Sequence, residues 1–83
     1  MRKGELVICT AGREKDRLMC VVEADEKYTY VCDGKERLLN NPKRKNPKHL
    51  IKTGIQIQSS EFLTDRALRK ALTKEVNLWQ NKT

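Results

Sequence analysis

Residues 4–18, GELVICTAGREKDRL, constrain the fold more than any other stretch of the chain. Val7 and Cys9 stand at period two, which puts their side chains on one face of a strand, and Gly12 ends that strand where a positive φ is easiest. A chain that bends back within so few residues makes a strand, a tight turn and a returning strand. The turn carries Arg13, Lys15 and Arg17. Such a bend presents cations together with backbone N–H donors, a combination suited to approaching a phosphate chain.

The same pattern of short segments continues through the first half of the chain. Residues 6–10, 18–23, 28–32 and 35–39 are rich in apolar or β-branched side chains and separated by turn signals, which predicts four strands. The Asp33-Gly34 pair predicts a two-residue type I′ hairpin; Tyr30 would then lie opposite Arg37 and Tyr28 opposite Leu39, with Thr29, Val31 and Leu38 on the core face. Residues 49–51 supply a fifth strand. Ile55 and Ile57 alternate with Gln56 and Gln58, which permits an extended segment or a short extra strand.

From Thr64 the period becomes helical. Thr64 is placed as N-cap, Asp65 suits the positive end of the helix dipole, and Leu63 and Leu68 stand at the positions of a hydrophobic staple. Leu68, Leu72, Val76 and Trp79, with Ala71 beside them, form one apolar stripe that needs a sheet to cover. Arg66, Arg69, Lys70 and Lys74 lie away from the stripe, where they either extend a basic surface or solvate the outer face.

Charge is distributed unevenly. Residues 1–41 carry eight Lys/Arg and eight Asp/Glu, whereas residues 42–83 carry ten and three, so the net charge of +7 lies in the second half. Its densest part is 42–52, PKRKNPKHLIK, where Lys43, Arg44, Lys45, Lys48 and Lys52 occur with no acid among them. Pro42 and Pro47 keep this stretch extended and out of a regular helix, and an extended basic segment can follow a phosphate backbone. The bland counterpart is a solvated basic loop.

With 83 residues the chain makes one domain, at a size where only about 60% of the unfolded surface is buried and a deep enzymatic cleft does not fit. No apolar run approaches the ~18 residues of a membrane span and no signal-peptide h-region opens the chain, so the expected location is cytoplasmic. Cys9, Cys20, Cys32 and His49 make an arithmetic Cys3His set without the paired spacing of a zinc knuckle, and each cysteine falls in an expected strand as a buried free thiol. No P-loop, dinucleotide fingerprint or zinc-protease helix occurs, so neither an enzyme nor a cofactor is expected.

Gly4, Val7, Cys9, Gly12 and the basic turn resemble the KOW motif, a glycine-anchored strand, loop and strand unit of ribosomal proteins and transcription elongation factors. Near the end of the turn, where that pattern usually has a second glycine, this chain has Asp16, a residue that enters the left-handed region more readily than most. The chain as a whole resembles small bacterial KOW-domain RNA-binding proteins related to eukaryotic large-subunit ribosomal proteins. The resemblance implies a mainly β fold, a small SH3-like barrel of about five strands over residues 1–52, a connecting segment 53–63 and a C-terminal α-helix over 64–83 packed on the barrel.

It also implies a non-catalytic, ribosome-associated protein that grips structured RNA, ribosomal RNA first. Arg13, Lys15, Arg17, Arg37, Lys43, Arg44, Lys45, Lys48, His49 and Lys52 are the candidate contacts. No metal, membrane or small-molecule substrate enters this reading. Tyr28 or Tyr30 would stack on an unpaired base if their strand face is open. Two other classes use the same features: an SH3-like interaction module for a peptide or acidic partner, which lacks an aromatic-lined groove here, and a duplex-DNA binder, which lacks a recognition helix.

Overall fold

The computed structural model describes residues 1–80, with side chains through residue 78. Five strands, β1 (Glu5–Cys9), β2 (Leu18–Ala24), β3 (Thr29–Cys32), β4 (Lys43–Lys45) and β5 (Leu50–Gln56), form one antiparallel sheet, followed by a single helix, α1 (Asp65–Gln80). The fold is thus mainly β with a C-terminal helix. Strand order is β4-β3-β2-β1-β5. Its two edges, β4 and β5, do not pair with each other, so the sheet is open where a closed barrel was expected. β4 is too short to complete a closure, and the chain leaves it through a 3-10 turn at Pro47–His49 that begins with a residue lacking a backbone donor.

Both faces of the sheet are buried, which is why β1 and β2 read as nearly continuous apolar runs. One face carries Leu6, Cys20 and Cys32, covered by Leu68, Ala71 and Leu72 of α1 and by Ile57. Burying a leucine such as Leu68 completely contributes about 1.5–3 kcal/mol, the main reason this helix stays on the sheet. The other face carries Val7, Cys9, Met19, Val21, Val31 and Leu50. No described helix covers it; the sheet curls over it instead. A bulge between Val21 and Glu23 bends β2, and Lys45 on the far edge strand reaches back to the Ala11 carbonyl at 2.9 Å.

The helix begins as its sequence demands: Thr64 Oγ1 accepts the Ala67 N–H at 3.1 Å. Leu63, however, is 74% exposed while Leu68 is buried, so the staple does not form. The Trp79 side chain, the last member of the expected stripe, lies outside the described residues. No described helix is long and apolar enough to cross a membrane.

The largest departure follows β3. Residues 35–39 are not a strand. Asp33 Oδ1 accepts the N–H groups of Lys35, Glu36 and Arg37 at 2.9, 3.0 and 2.9 Å, and the Arg37 carbonyl accepts from Asp33 and Gly34. A carboxylate that satisfies three donors organises a wider loop than a two-residue turn allows. Gly34, at φ +75°, sits where a Cβ would collide with the Asp65 carbonyl, and Asp65 Oδ1 accepts the Leu39 N–H at 2.7 Å, so loop 33–42 is docked on the start of α1. Leu38 is 39% exposed rather than in the core, whereas Thr29 and Val31 are buried as expected. The partner of β3 is instead the basic segment itself: Thr29 pairs with Lys45, Tyr30 with Arg44 and Val31 with Lys43. The fifth strand is also longer than residues 49–51, running on through Ile55 to Gln56.

Candidate nucleic-acid interface

Turn 11–17 joins β1 to β2 and is closed by its own backbone. The Asp16 N–H donates to the Cys9 carbonyl at 2.7 Å, and the Arg17 N–H to the Glu14 backbone carbonyl at 3.0 Å. Gly12 has φ +81°, and Asp16, with φ +68°, is the one non-glycine residue of the described chain at positive φ. Asp16 therefore adopts a conformation usually left to glycine, at the energetic cost of a Cβ in the left-handed region.

One side chain of this turn points inward. Glu14 is only 4% exposed, with its carboxylate between two cations: Lys45 Nζ at 3.1 Å and Arg37 Nε at 3.5 Å. Lys45, 8% exposed, also donates to the Ala11 carbonyl. Burial pushes the Glu14 carboxyl up, but the close Lys45 ammonium, a backbone donor and the charge of Lys43 outweigh it and hold the group below the usual carboxylate range. The turn is thus braced from beneath by β4 and loop 33–42. Nothing local in the sequence marks Glu14, which reads as one more charge in a charged turn. Its role becomes visible only once β4 is placed.

The brace sorts the ten candidate contacts. Lys45 and Arg37 are engaged with Glu14, and Arg17 Nη1 lies 2.6 Å from Glu36 Oε2 on the surface, so these three cations have internal partners. Lys45 in particular, expected as a phosphate contact, is a buried structural residue. Arg44 lies over the Tyr28 ring, its Cζ 4.6 Å from the ring centroid. Arg13, Lys15, Lys48, His49 and Lys52 are exposed, and Lys43 is half-buried opposite Val31. None of these six makes an ion pair among the described residues.

Four of them meet at one end of the sheet. The His49 carbonyl accepts the Thr10 N–H at 2.9 Å, which docks the 3-10 turn beside turn 11–17 and sets Lys48 and His49 next to the loop bearing Arg13 and Lys15. Asn46 Oδ1 caps the 3-10 turn through the Lys48 N–H. Lys52 continues the line along β5, opposite Val7. Two stretches far apart in sequence therefore form one cationic end. A second cationic surface, not resolved by sequence reasoning, runs along α1, where Arg66, Arg69, Lys70 and Lys74 line a shallow groove with Lys35 over a floor that includes Leu18.

The four residues of the arithmetic Cys3His set do not share a site. Cys9 lies on the curled face, Cys20 and Cys32 pair across strands on the helix face, and His49 is exposed. Burial pushes the Cys20 and Cys32 thiols up to about 12, which keeps them protonated and unreactive. In comparisons with known proteins, no family model and no curated protein significantly matches the chain.

Proposed function

We propose that this chain is a non-catalytic RNA-binding protein of the KOW type, acting in the cytoplasm on structured RNA, with ribosomal RNA as the first candidate. One observation carries the reading. The inward Glu14, held by Lys45 and Arg37, supports a turn whose other cations, Arg13 and Lys15, are exposed beside Lys48 and His49. Cations that the protein's own acids leave unmatched, grouped at one end, suit a phosphate backbone. The finer fold assignment, an SH3-like barrel left open along β4 and β5, belongs to the same proposal and is supported by the five-strand antiparallel order and by the curl of the sheet over Val7, Met19 and Val31.

The test is fluorescence anisotropy of the full chain with a labelled ribosomal RNA hairpin. If roughly four phosphates are neutralised, affinity falls on the order of a hundredfold between about 50 and 200 mM salt. Reversing Arg13, Lys15 and Lys48 to Glu abolishes most of that binding. An affinity that ignores both salt and charge reversal overturns the reading and favours a peptide-binding module. Equal competition by duplex DNA argues against RNA as the partner.

A further inference from the structure

The chain has two tyrosines, one phenylalanine and one tryptophan, and both tyrosines lie outside either core cluster. The interior of β3 is taken by Thr29 and Val31, which leaves Tyr28 and Tyr30 half-exposed. Their geometry is nonetheless held. Asp25 Oδ1 accepts the N–H groups of Lys27 and Tyr28 at 2.8 and 2.7 Å, and its Oδ2 accepts the Tyr30 hydroxyl at 3.2 Å. Arg44, directly across from Tyr30 on β4, lies over the Tyr28 ring at 4.6 Å. Arg44 is exposed as a residue, and a guanidinium over an aromatic ring is a planar group on which a further ring can stack.

The charge around this stack differs from that at the cationic end. Glu23 is paired opposite Tyr30, and Asp25 holds both tyrosines, so acids flank Arg44, whereas the stretch 46–52 around Lys48 carries none of its own. Carboxylates repel a phosphate but not the flat, uncharged face of a base. Planar guanidinium and tyrosine surfaces are what unpaired RNA bases stack on. Distance along the chain also fits one ligand: Arg44 and Lys48 are four residues apart, at most roughly 14 Å when fully extended.

We propose that the Tyr28–Arg44 stack is a docking platform for one unpaired RNA base, which adds to the guanidinium face while the neighbouring phosphates rest on Lys48 and the turn. The proposal rests on the RNA reading above. It assigns Arg44 a different role from the other cations of 42–52: the plane matters, not the charge alone.

The probe is a labelled RNA hairpin with a single-stranded loop, bound at about 50 mM salt, where backbone contacts hold it regardless of sequence. Each loop nucleotide is replaced in turn by an abasic one. With the wild-type chain, one abasic position weakens binding about 5- to 100-fold, the range expected for a lost stack. Tyr28→Leu and Arg44→Lys remove that difference, so that intact and abasic RNA bind equally, while affinity for the abasic RNA stays at the wild-type level. Arg44→Lys keeps the charge and serves as the control should Tyr28→Leu unfold. A 2-aminopurine at the same position is quenched by the wild type and not by Arg44→Lys. RNA binding with no sensitive loop position, or variants that weaken intact and abasic RNA alike, overturns the platform and leaves the RNA reading standing. No RNA binding by the wild type overturns both.

Discussion

Turn 11–17 and loop 33–42 look alike as strings: each follows a strand, each has a glycine at positive φ, and each mixes acids with cations. Their charges are nevertheless used in opposite ways. In the loop, Asp33 satisfies three backbone donors, while Glu36 and Arg37 reach across to Arg17 and Glu14. The loop's one lysine, Lys35, belongs to the groove along α1. In the turn, only Glu14 goes inward, and Arg13 and Lys15 stay in water. One segment is a brace and the other is what it supports. Composition does not separate a structural cation from a solvent-facing one; the position of the counter-charge does.

Removing the buried cation breaks that arrangement most severely. Lys45→Ala leaves Glu14 charged, buried and short of its closest partner, and should lower stability by about 3–5 kcal/mol in urea or thermal unfolding. Lys45→Met combined with Glu14→Gln, which removes both charges, should recover a large part of the loss. A Lys45→Ala effect no larger than that of a surface lysine would show that the pair is not a brace.

Attacking the loop comes next. Gly34→Ala meets both a positive φ and the Asp65 carbonyl, so it should cost at least about 2 kcal/mol and pull the loop away from α1. Hydrogen exchange should then rise at Leu39, whose N–H donates to Asp65. Unchanged protection at that amide would separate the loop from the helix in energetic terms.

Acid probes the same brace more gently. Because the folded Glu14 carboxyl lies below its usual value, the unfolded chain binds more protons there; that contribution is fully present above the ordinary glutamate pKa of ~4.3 and is lost as pH falls through the lower folded value. Glu14→Gln should flatten the acid limb of the stability curve relative to the wild type. An identical acid limb in the variant would place the sensitive carboxylate elsewhere.

The smallest effect runs the other way. Asp16→Gly relieves a left-handed Cβ and should stabilise the turn by up to about 1 kcal/mol, less the added freedom of glycine in the unfolded chain. A loss would mean that the Asp16 side chain, rather than its backbone, holds the turn.

Much of this architecture is legible in short windows. The apolar strands over residues 6–10 and 18–23, the buried pair Thr29 and Val31, the Thr64 cap and the apolar stripe of α1 at Leu68, Ala71 and Leu72 all depend on neighbours within one strand or one helical turn. The hairpin after β3 fails as an expectation because the Asp33 carboxylate competes with the two-residue turn, and side-chain capping wins over a dipeptide preference. β4 escapes notice because its three residues, Lys43, Arg44 and Lys45, carry no apolar pattern; it is a strand because β3 offers it a free edge. Among the candidate contacts, Arg13, Lys15 and Lys48 are readable one by one as cations in turns or extended segments, whereas their grouping with His49 at one end of the sheet and the inward placement of Lys45 are not.

By itself, then, the sequence determined the order of strands before helix, the sharp bend at Gly12 and Asp16, and the concentration of positive charge in its second half. These are local or compositional properties, set by φ preferences, side-chain period and counts. Only the tertiary structure decided which charges are neutralised. Glu14 meets Lys45 and Arg37 across strands that are far apart along the chain, and the curl of the sheet, not any window of residues, brings those groups within 3.1 and 3.5 Å of its carboxylate. Coulombic pairing depends on distance in space, and the sequence alone does not supply it.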